Sequence, residues 1–187
     1  MILWRRLDLP GHEVAEISQH RNRWNLAGTA IFTYRRQPCR LDYEIECDMQ
    51  WGTRDVTVRG QIGEKPVALV LSRRPGDDWL ANDVPQPAVQ GCIDVDLGFS
   101  PSTNLLPIRR LKLELGASVS VRAAWVRFPD LTLEVLEQSY TRLTEHTYLY
   151  ESAGGTFRRE LTVNGDGFVV DYPGLWRDET EGTIEDD

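Results

Sequence analysis

Apolar and polar residues alternate along most of the chain. Between residues 41 and 47, four apolar side chains are separated by three acidic ones; the apolar set is Leu41, Tyr43, Ile45 and Cys47. A strand places successive side chains on opposite faces, so this alternation is typical of a strand with one buried face. The pattern recurs at Val56/Val58, Ile93/Val95/Leu97, Leu111/Leu113/Leu115, Val119/Val121, Leu131/Leu133/Val135, Leu161/Val163 and residues 168–170. The sequence therefore predicts a mainly β protein.

Glycine-rich segments separate several of these runs. Residues 153–155 and 164–167 supply the positive φ angles that tight hairpin turns require, so both are predicted to be hairpin turns. Residues 133–143 have some helical character, but their β-branched residues favour extended structure.

One segment departs from the β pattern. Leu105, Ile108 and Leu111 recur at helical spacing, and Pro107 is tolerated in a first helical turn. Thr103 or Asn104 is a suitable residue to cap such a helix. We expect a single short central helix near residues 104–113.

The length and the charge predict one domain followed by a short tail. A chain of 187 residues fits a single domain, which we place at residues 1–177. Residues 178–187 carry six acids and no base, so they are predicted to form a disordered acidic tail. Because the net charge is −8, the remainder sums to about −2, without the basic surface expected of a nucleic-acid-binding protein.

The sequence favours a cytoplasmic protein without a metal or cofactor. No apolar run approaches the roughly 20 residues that span a bilayer, and the first ten residues lack the pattern of a signal peptide. The three cysteines are odd in number and share no CxxC spacing. His12, Glu16 and His20 would share one face of a helix, but a surface strand is the favoured interpretation of this segment.

Two aspartates could perform acid–base chemistry. Asp94 and Asp96 share one face of a predicted strand, with carboxylates about 6–7 Å apart, a spacing used in sugar hydrolysis. The alternative interpretation is a solvated strand face or ion pairs with nearby arginines.

Arginine dominates the basic residues, and Arg109 and Arg110 are the pair of most interest. Both lie on the predicted helix, where a guanidinium directed inward needs a carboxylate, a phosphate or a carbonyl. They are candidates for binding a polar head group, and an ion pair with Asp94 or Asp96 is the alternative.

Aromatic residues with polar tips suit sugars and lipid head groups. The candidates for ligand contact are Trp51, Trp79, Trp125 and Tyr148. Packing in a core or an interface is the other explanation for such residues in a β protein.

The segments at residues 91–97 and 100–111 resemble the central signature of the bacterial glycolipid-binding family. The T-N-x-L-P-I-R-R motif at residues 103–110 is its most distinctive part. Residues 123–129, 140–143 and 167–176 are similar to later blocks of the same family. The resemblance covers nearly the whole chain before the acidic tail.

The resemblance implies a spiral β-roll, in which a long antiparallel sheet wraps around a single helix and two protomers form a tight dimer. It implies a glycolipid or another amphiphile as ligand, a role inferred for the family from its likeness to bacterial lipoprotein carriers, and it transfers no catalytic residue. Two alternatives stay open: a sugar- or lipid-processing enzyme that uses Asp94 and Asp96, and an interaction or scaffold dimer without a ligand pocket.

Overall fold

The computed structural model describes residues 1–180 and is mainly β, as the alternation predicts. Its strands are β1 (Ile2–Arg6), β2 (Gly11–His20), β3 (Arg23–Tyr34), β4 (Gln37–Cys47), β5 (Thr53–Ile62), β6 (Lys65–Arg74), β7 (Asp78–Ala81), β8 (Val84–Pro85), β9 (Asp94–Leu97), β10 (Ser118–Arg127), β11 (Thr132–Arg142), β12 (Thr147–Ser152), β13 (Phe157–Val163), β14 (Val169–Tyr172) and β15 (Trp176–Asp178). One α-helix, α1 (Leu105–Leu111), and three short 3-10 helices (Pro87–Val89, Ser102–Asn104 and Ala153–Gly155) complete the secondary structure of these residues.

All the strands belong to one 15-stranded sheet. Its order is β8-β7-β6-β5-β4-β3-β2-β1-β15-β14-β13-β12-β11-β10-β9, so the first and last strands of the chain are neighbours in its interior. Every pair is antiparallel except β9 and β10, which are parallel. Parallel strands need a crossover connection, and α1 lies within the connection between these two strands.

The sheet curls until its two ends approach each other. Near the start of β5, the backbone N–H of Thr53 donates to the carbonyl of Ile93 (3.2 Å), and the Thr53 hydroxyl accepts from the N–H of Val95 in the edge strand β9 (3.1 Å). In β7, the indole N–H of Trp79 donates to the carbonyl of Cys92 (2.9 Å). The sheet is therefore rolled around the helix, as the resemblance implies.

The predicted helix is present in a shorter form. It spans Leu105–Leu111, and its first four residues are buried inside the roll. Neither proposed capping side chain caps it: the Thr103 hydroxyl accepts from the N–H of Leu97, and the Asn104 amide donates to the hydroxyl of Tyr140. Both side chains instead attach the helix entrance to the sheet. No helix among residues 1–180 combines the length and the apolar character needed to cross a bilayer.

Most of the local predictions are confirmed. Residues 153–155 and 164–167 connect consecutive strands, residues 133–142 lie in β11, and His12 to His20 belong to β2 rather than to a helix. The alternation at residues 111–115 was misleading, because the chain leaves the helix through Lys112 in the left-handed region (φ 46°) and forms no strand there. The cysteines are buried free thiols.

The sheet extends past the predicted domain boundary at residue 177. Asp178 is the last residue of β15, and the N–H of Glu179 donates to the carbonyl of Leu3 (2.7 Å). The Glu179 carboxylate also pairs with Arg5 (3.1 Å). Residues 178–180 thus join β1 instead of a disordered tail, and the rest of the predicted tail, residues 181–187, lies outside the described residues.

Candidate functional site

A cleft of about 580 Å³ opens beside the C-terminal half of α1, and we call it the arginine cleft. The helix supplies one wall, and the other walls come from the start of β3, the turn after β4, the connection from β11 to β12 and the turn after β13. Its lining residues are Trp24, Met49, Trp51, Ile108, Arg109, Lys112, Arg142, Glu145, His146, Tyr148, Val163, Asn164, Gly165 and Gly167.

Trp51 forms an aromatic wall of the arginine cleft. The turn that presents it is closed by Asp48, whose carboxylate accepts from the backbone N–H groups of Gln50 and Gly52. This turn holds Trp51 at φ 68°, a conformation that is unfavourable for a large side chain. The ring stacks on Trp24 with 4.5 Å between centroids, so it is fixed before any ligand arrives.

Arg109 points into this cleft and lies over Trp51. Its guanidinium carbon is 5.1 Å from the centre of the Trp51 ring. Its Nε is buried and has no hydrogen-bond partner, and no carboxylate of residues 1–180 lies within 4 Å of the guanidinium. The stacking orients the cation, while its terminal nitrogens, which make no hydrogen bond within residues 1–180, are left for an acceptor from outside.

Arg142 faces the same cleft and is also without a carboxylate partner within the described chain. Its guanidinium donates to the carbonyls of Leu113 (2.9 Å), Thr144 (3.3 Å) and Glu145 (3.1 Å), which neutralise no charge. It lies 5.9 Å from the ring centre of Tyr148. Lys112 adds a third cation, and the one acid of the lining, Glu145, has a side chain that is 81% exposed.

Arg110, the residue after Arg109 on α1, forms an internal ion pair. It donates from Nε (2.9 Å) and from a terminal nitrogen (2.5 Å) to the two carboxylate oxygens of Asp94, whose side chain is only 2% exposed. The paired carboxylate raises the pKa of Arg110 further. The ion-pair interpretation of Arg110 is therefore confirmed, and Arg110 is not among the lining residues of the arginine cleft.

Asp96 lies apart from that ion pair. It lines a second cleft of about 340 Å³, here named the Asp96 cleft, which also contains Trp125, while Asp94 is not part of its lining. The amide of Gln138 donates to the Asp96 carboxylate (2.6 Å). Burial raises the pKa of this carboxyl to about 6, and the bond from Gln138 opposes the shift.

Trp79 belongs to the hydrophobic core and not to either cleft. It is 1% exposed, and its indole N–H is occupied by the Cys92 carbonyl. Its place is in the core where the two ends of the sheet meet, and it lines neither the arginine cleft nor the Asp96 cleft.

The structure thus brings together three of the six predicted ligand-binding residues: Arg109, Trp51 and Tyr148. Sequence analysis missed Trp24, Lys112 and Arg142 as members of this site. Arg142 lies in one of the blocks that carried the family resemblance, which was the available signal for it. Trp24 and Lys112 had no such signal, because their positions depend on how distant strands align.

Comparisons with known proteins agree with this fold. A crystal structure of a DUF1089 family protein from Pseudomonas aeruginosa has a TM-score of 0.76 and 31% sequence identity, and the match covers 88% of this chain and 91% of that one. A search of curated proteins finds no match. A family model described as "Putative glycolipid-binding" matches residues 1–178, and the chain therefore belongs to that glycolipid-binding family.

Proposed function

We propose that the protein is a non-catalytic binding protein for amphiphiles with an anionic, sugar-bearing head group, held in the arginine cleft. The observation that supports this most strongly is the set of three cationic side chains, Arg109, Lys112 and Arg142, around one cleft of a chain whose net charge is −8. Among residues 1–180, none of them has a carboxylate within 4 Å. An anionic ligand would supply the missing charge.

The walls of the cleft suit the rest of such a ligand. Trp24, which is partly exposed and stacks on the buried Trp51, offers an aromatic surface for the apolar face of a sugar. Met49, Ile108 and Val163 provide apolar lining beside it. A fixed aromatic surface and unpaired cations in one cleft fit the family to which the chain belongs.

Titration with two matched amphiphiles tests the proposal. n-Octyl β-D-glucuronide and n-octyl β-D-glucoside share the alkyl chain and the ring, and only the glucuronide carries a carboxylate. By calorimetry below the micelle concentration, the glucuronide is expected to bind at least about tenfold more tightly, because a hydrogen bond to a charged group contributes about 1.5–3 kcal/mol.

Arg109→Met should weaken glucuronide binding about tenfold and leave glucoside binding unchanged, because one of the three cations around the cleft is lost. Arg40→Met is the matched control, since the Arg40 side chain is 67% exposed and lies on β4, away from the lining of the cleft. Equal affinities of the wild-type protein for the two amphiphiles, or an Arg109→Met protein that binds the glucuronide as tightly as the wild-type protein does, would contradict the assignment of the head-group site.

The two alternatives from the sequence receive less support. An acid–base pair needs Asp94 and Asp96 to face one substrate, yet Asp94 is bound by Arg110 and only Asp96 lines a cleft. A scaffold without a pocket needs the helix to fill the roll, whereas two clefts lie beside it.

The homodimer and the cytoplasmic location stay predictions. For the dimer, we propose the outer face of β1 and β2, where Leu3 and Val14 are paired across the strands and are each 38% exposed. Native mass spectrometry of the wild-type protein and of Val14→Glu would test this, with a monomer expected for the variant. A dimer that survives Val14→Glu would place the interface elsewhere.

A further inference from the structure

The Asp96 cleft differs in chemistry from the arginine cleft. Its lining comes from the segment that leads into α1 and from the strands β9 to β12 and their neighbours up to β15. It therefore lies at the N-terminal end of the helix, whereas the arginine cleft lies beside the C-terminal half. Asp96 is the one charged residue of its lining. No cationic nitrogen of residues 1–180 lies within 4 Å of its carboxylate.

Aromatic rings form much of the remaining wall. Tyr150, Phe157 and Tyr172 pack edge to face or tilted, with centroids 6.0–6.3 Å apart. Trp125 and Trp176 complete the aromatic lining. The negatively charged faces of such rings attract cations, most strongly where water is excluded.

The charge around Asp96 is not balanced from any neighbouring element. Gln138 of β11 donates a neutral amide, and the hydroxyl groups of Tyr140, Tyr150 and Tyr172 are held neutral because burial keeps their pKa above its ordinary value. Three arginines lie over rings of the lining: Arg6 is 5.0 Å from the ring centre of Trp176, Arg159 is 4.8 Å from that of Phe157, and Arg127 is 5.8 Å from that of Trp125. None of them pairs with Asp96.

From this arrangement we infer that the Asp96 cleft is a second binding site, specific for an organic ammonium group, with Asp96 as the counter-ion and Tyr150 and Tyr172, the two lining rings that no arginine covers, as its aromatic wall. A quaternary or methylated amine fits best, because it presents a diffuse positive charge to ring faces and requires few hydrogen bonds. A neutral sugar would leave the enclosed carboxylate without a compensating charge. This inference is independent of the head-group assignment.

Choline and 3,3-dimethylbutan-1-ol provide a matched pair of probes. They have the same shape and differ in the charge of the central atom. In titrations followed by NMR at pH 7.5, choline should bind at least about tenfold more tightly than the neutral alcohol, as expected for a carboxylate partner combined with cation–π contacts. Equal binding, preference for the alcohol or for methyl β-D-glucoside, or no binding of choline would overturn the inference.

Two further measurements identify Asp96 as the counter-ion. Asp96→Asn keeps an acceptor for Gln138 and should abolish the preference for choline, whereas Asp55→Asn, the same change at an exposed position of β5, should preserve it. In the wild-type protein, lowering the pH from 7 to 5 should weaken choline binding about tenfold, because the carboxyl with a pKa of about 6 is protonated while choline keeps its charge. Affinity that is independent of pH would contradict the assignment even if Asp96→Asn failed to fold.

Discussion

Arg110→Met is expected to lower the free energy of unfolding by about 3–5 kcal/mol. Methionine preserves most of the apolar stem but removes the guanidinium that satisfies both oxygens of Asp94. The carboxylate then stays in a site where its side chain is 2% exposed, without a partner. Urea denaturation monitored by tryptophan fluorescence measures the change.

Arg109→Met is the matched control for that experiment, because the same change one residue earlier on α1 breaks no ion pair. We expect it to cost under about 1 kcal/mol, as for a change that leaves no buried charge uncompensated. Adding Asp94→Asn to Arg110→Met should recover at least half of the loss, since a neutral amide is less costly to bury than a carboxylate. Additive losses in the double variant would show that the ion pair is not the source of the effect.

Glu13→Gln is expected to remove a pH dependence from the stability of the protein. Glu13 is buried in β2, where one carboxylate oxygen accepts from the hydroxyls of Tyr43 and Ser100 and the other has no partner. Burial raises the pKa of this carboxyl to about 7, from 4.5, although the two hydroxyls and the charge of Arg6 oppose the shift.

Between those two pH values, the folded protein holds a proton at Glu13 that the unfolded chain has released. Stability from this group is therefore complete below pH 4.5 and is lost as the pH rises through about 7. From pH 5 to pH 8, the wild-type protein should lose about 2–3 kcal/mol relative to Glu13→Gln, as the size of the pKa shift requires. Chemical denaturation at both pH values measures this difference. If the two proteins showed parallel profiles of stability against pH, Glu13 would not be the source of the pH dependence. Glu16→Gln is the control: Glu16 is an exposed residue of the same strand, so this change should leave the pH profile of the wild-type protein unaltered.

The alternation of side chains predicted β4, β5, β9, β10, β11, β13 and β14, because burial on one face of a sheet imposes a period of two on the sequence. The alternation could not predict that β9 and β10 pair in parallel, because it is the same whichever way a strand runs. At residues 111–115 the alternation predicted a strand that does not form. Leu111 is the last residue of the helix, and Leu113 is buried outside any strand, so three leucines at alternate positions do not by themselves indicate a strand.

The chemistry of Arg109 and Arg110 could be predicted as a pair but not residue by residue. Both are partly buried on the same short helix, where successive side chains point about 100° apart, so the rotation of α1 about its axis decides which one meets Asp94 and which one enters the arginine cleft. That rotation accompanies the burial of the apolar side chains of α1, among them Leu106 and Ile108. Trp79 was assigned to the ligand by its residue type, and its burial depends on the meeting of the two ends of the roll.

The pairing of β1 with β15 places the two ends of the described chain, near residues 1 and 180, side by side within the sheet. Within residues 1–180 it is the one strand pair whose members are not consecutive in the sequence. In a circular permutant that joins the native ends and opens the chain between β8 and β9, every strand would follow its neighbour in the sheet, and only the parallel pair of β9 and β10 would need a crossover. The pairing of β1 with β15 would become local in the chain, whereas the hydrogen bonds of Thr53 and Trp79 that close the roll would become long-range. In the native order, the strand pair that joins the two halves of the sheet, β1–β8 and β9–β15, is instead the one with the largest separation in the sequence.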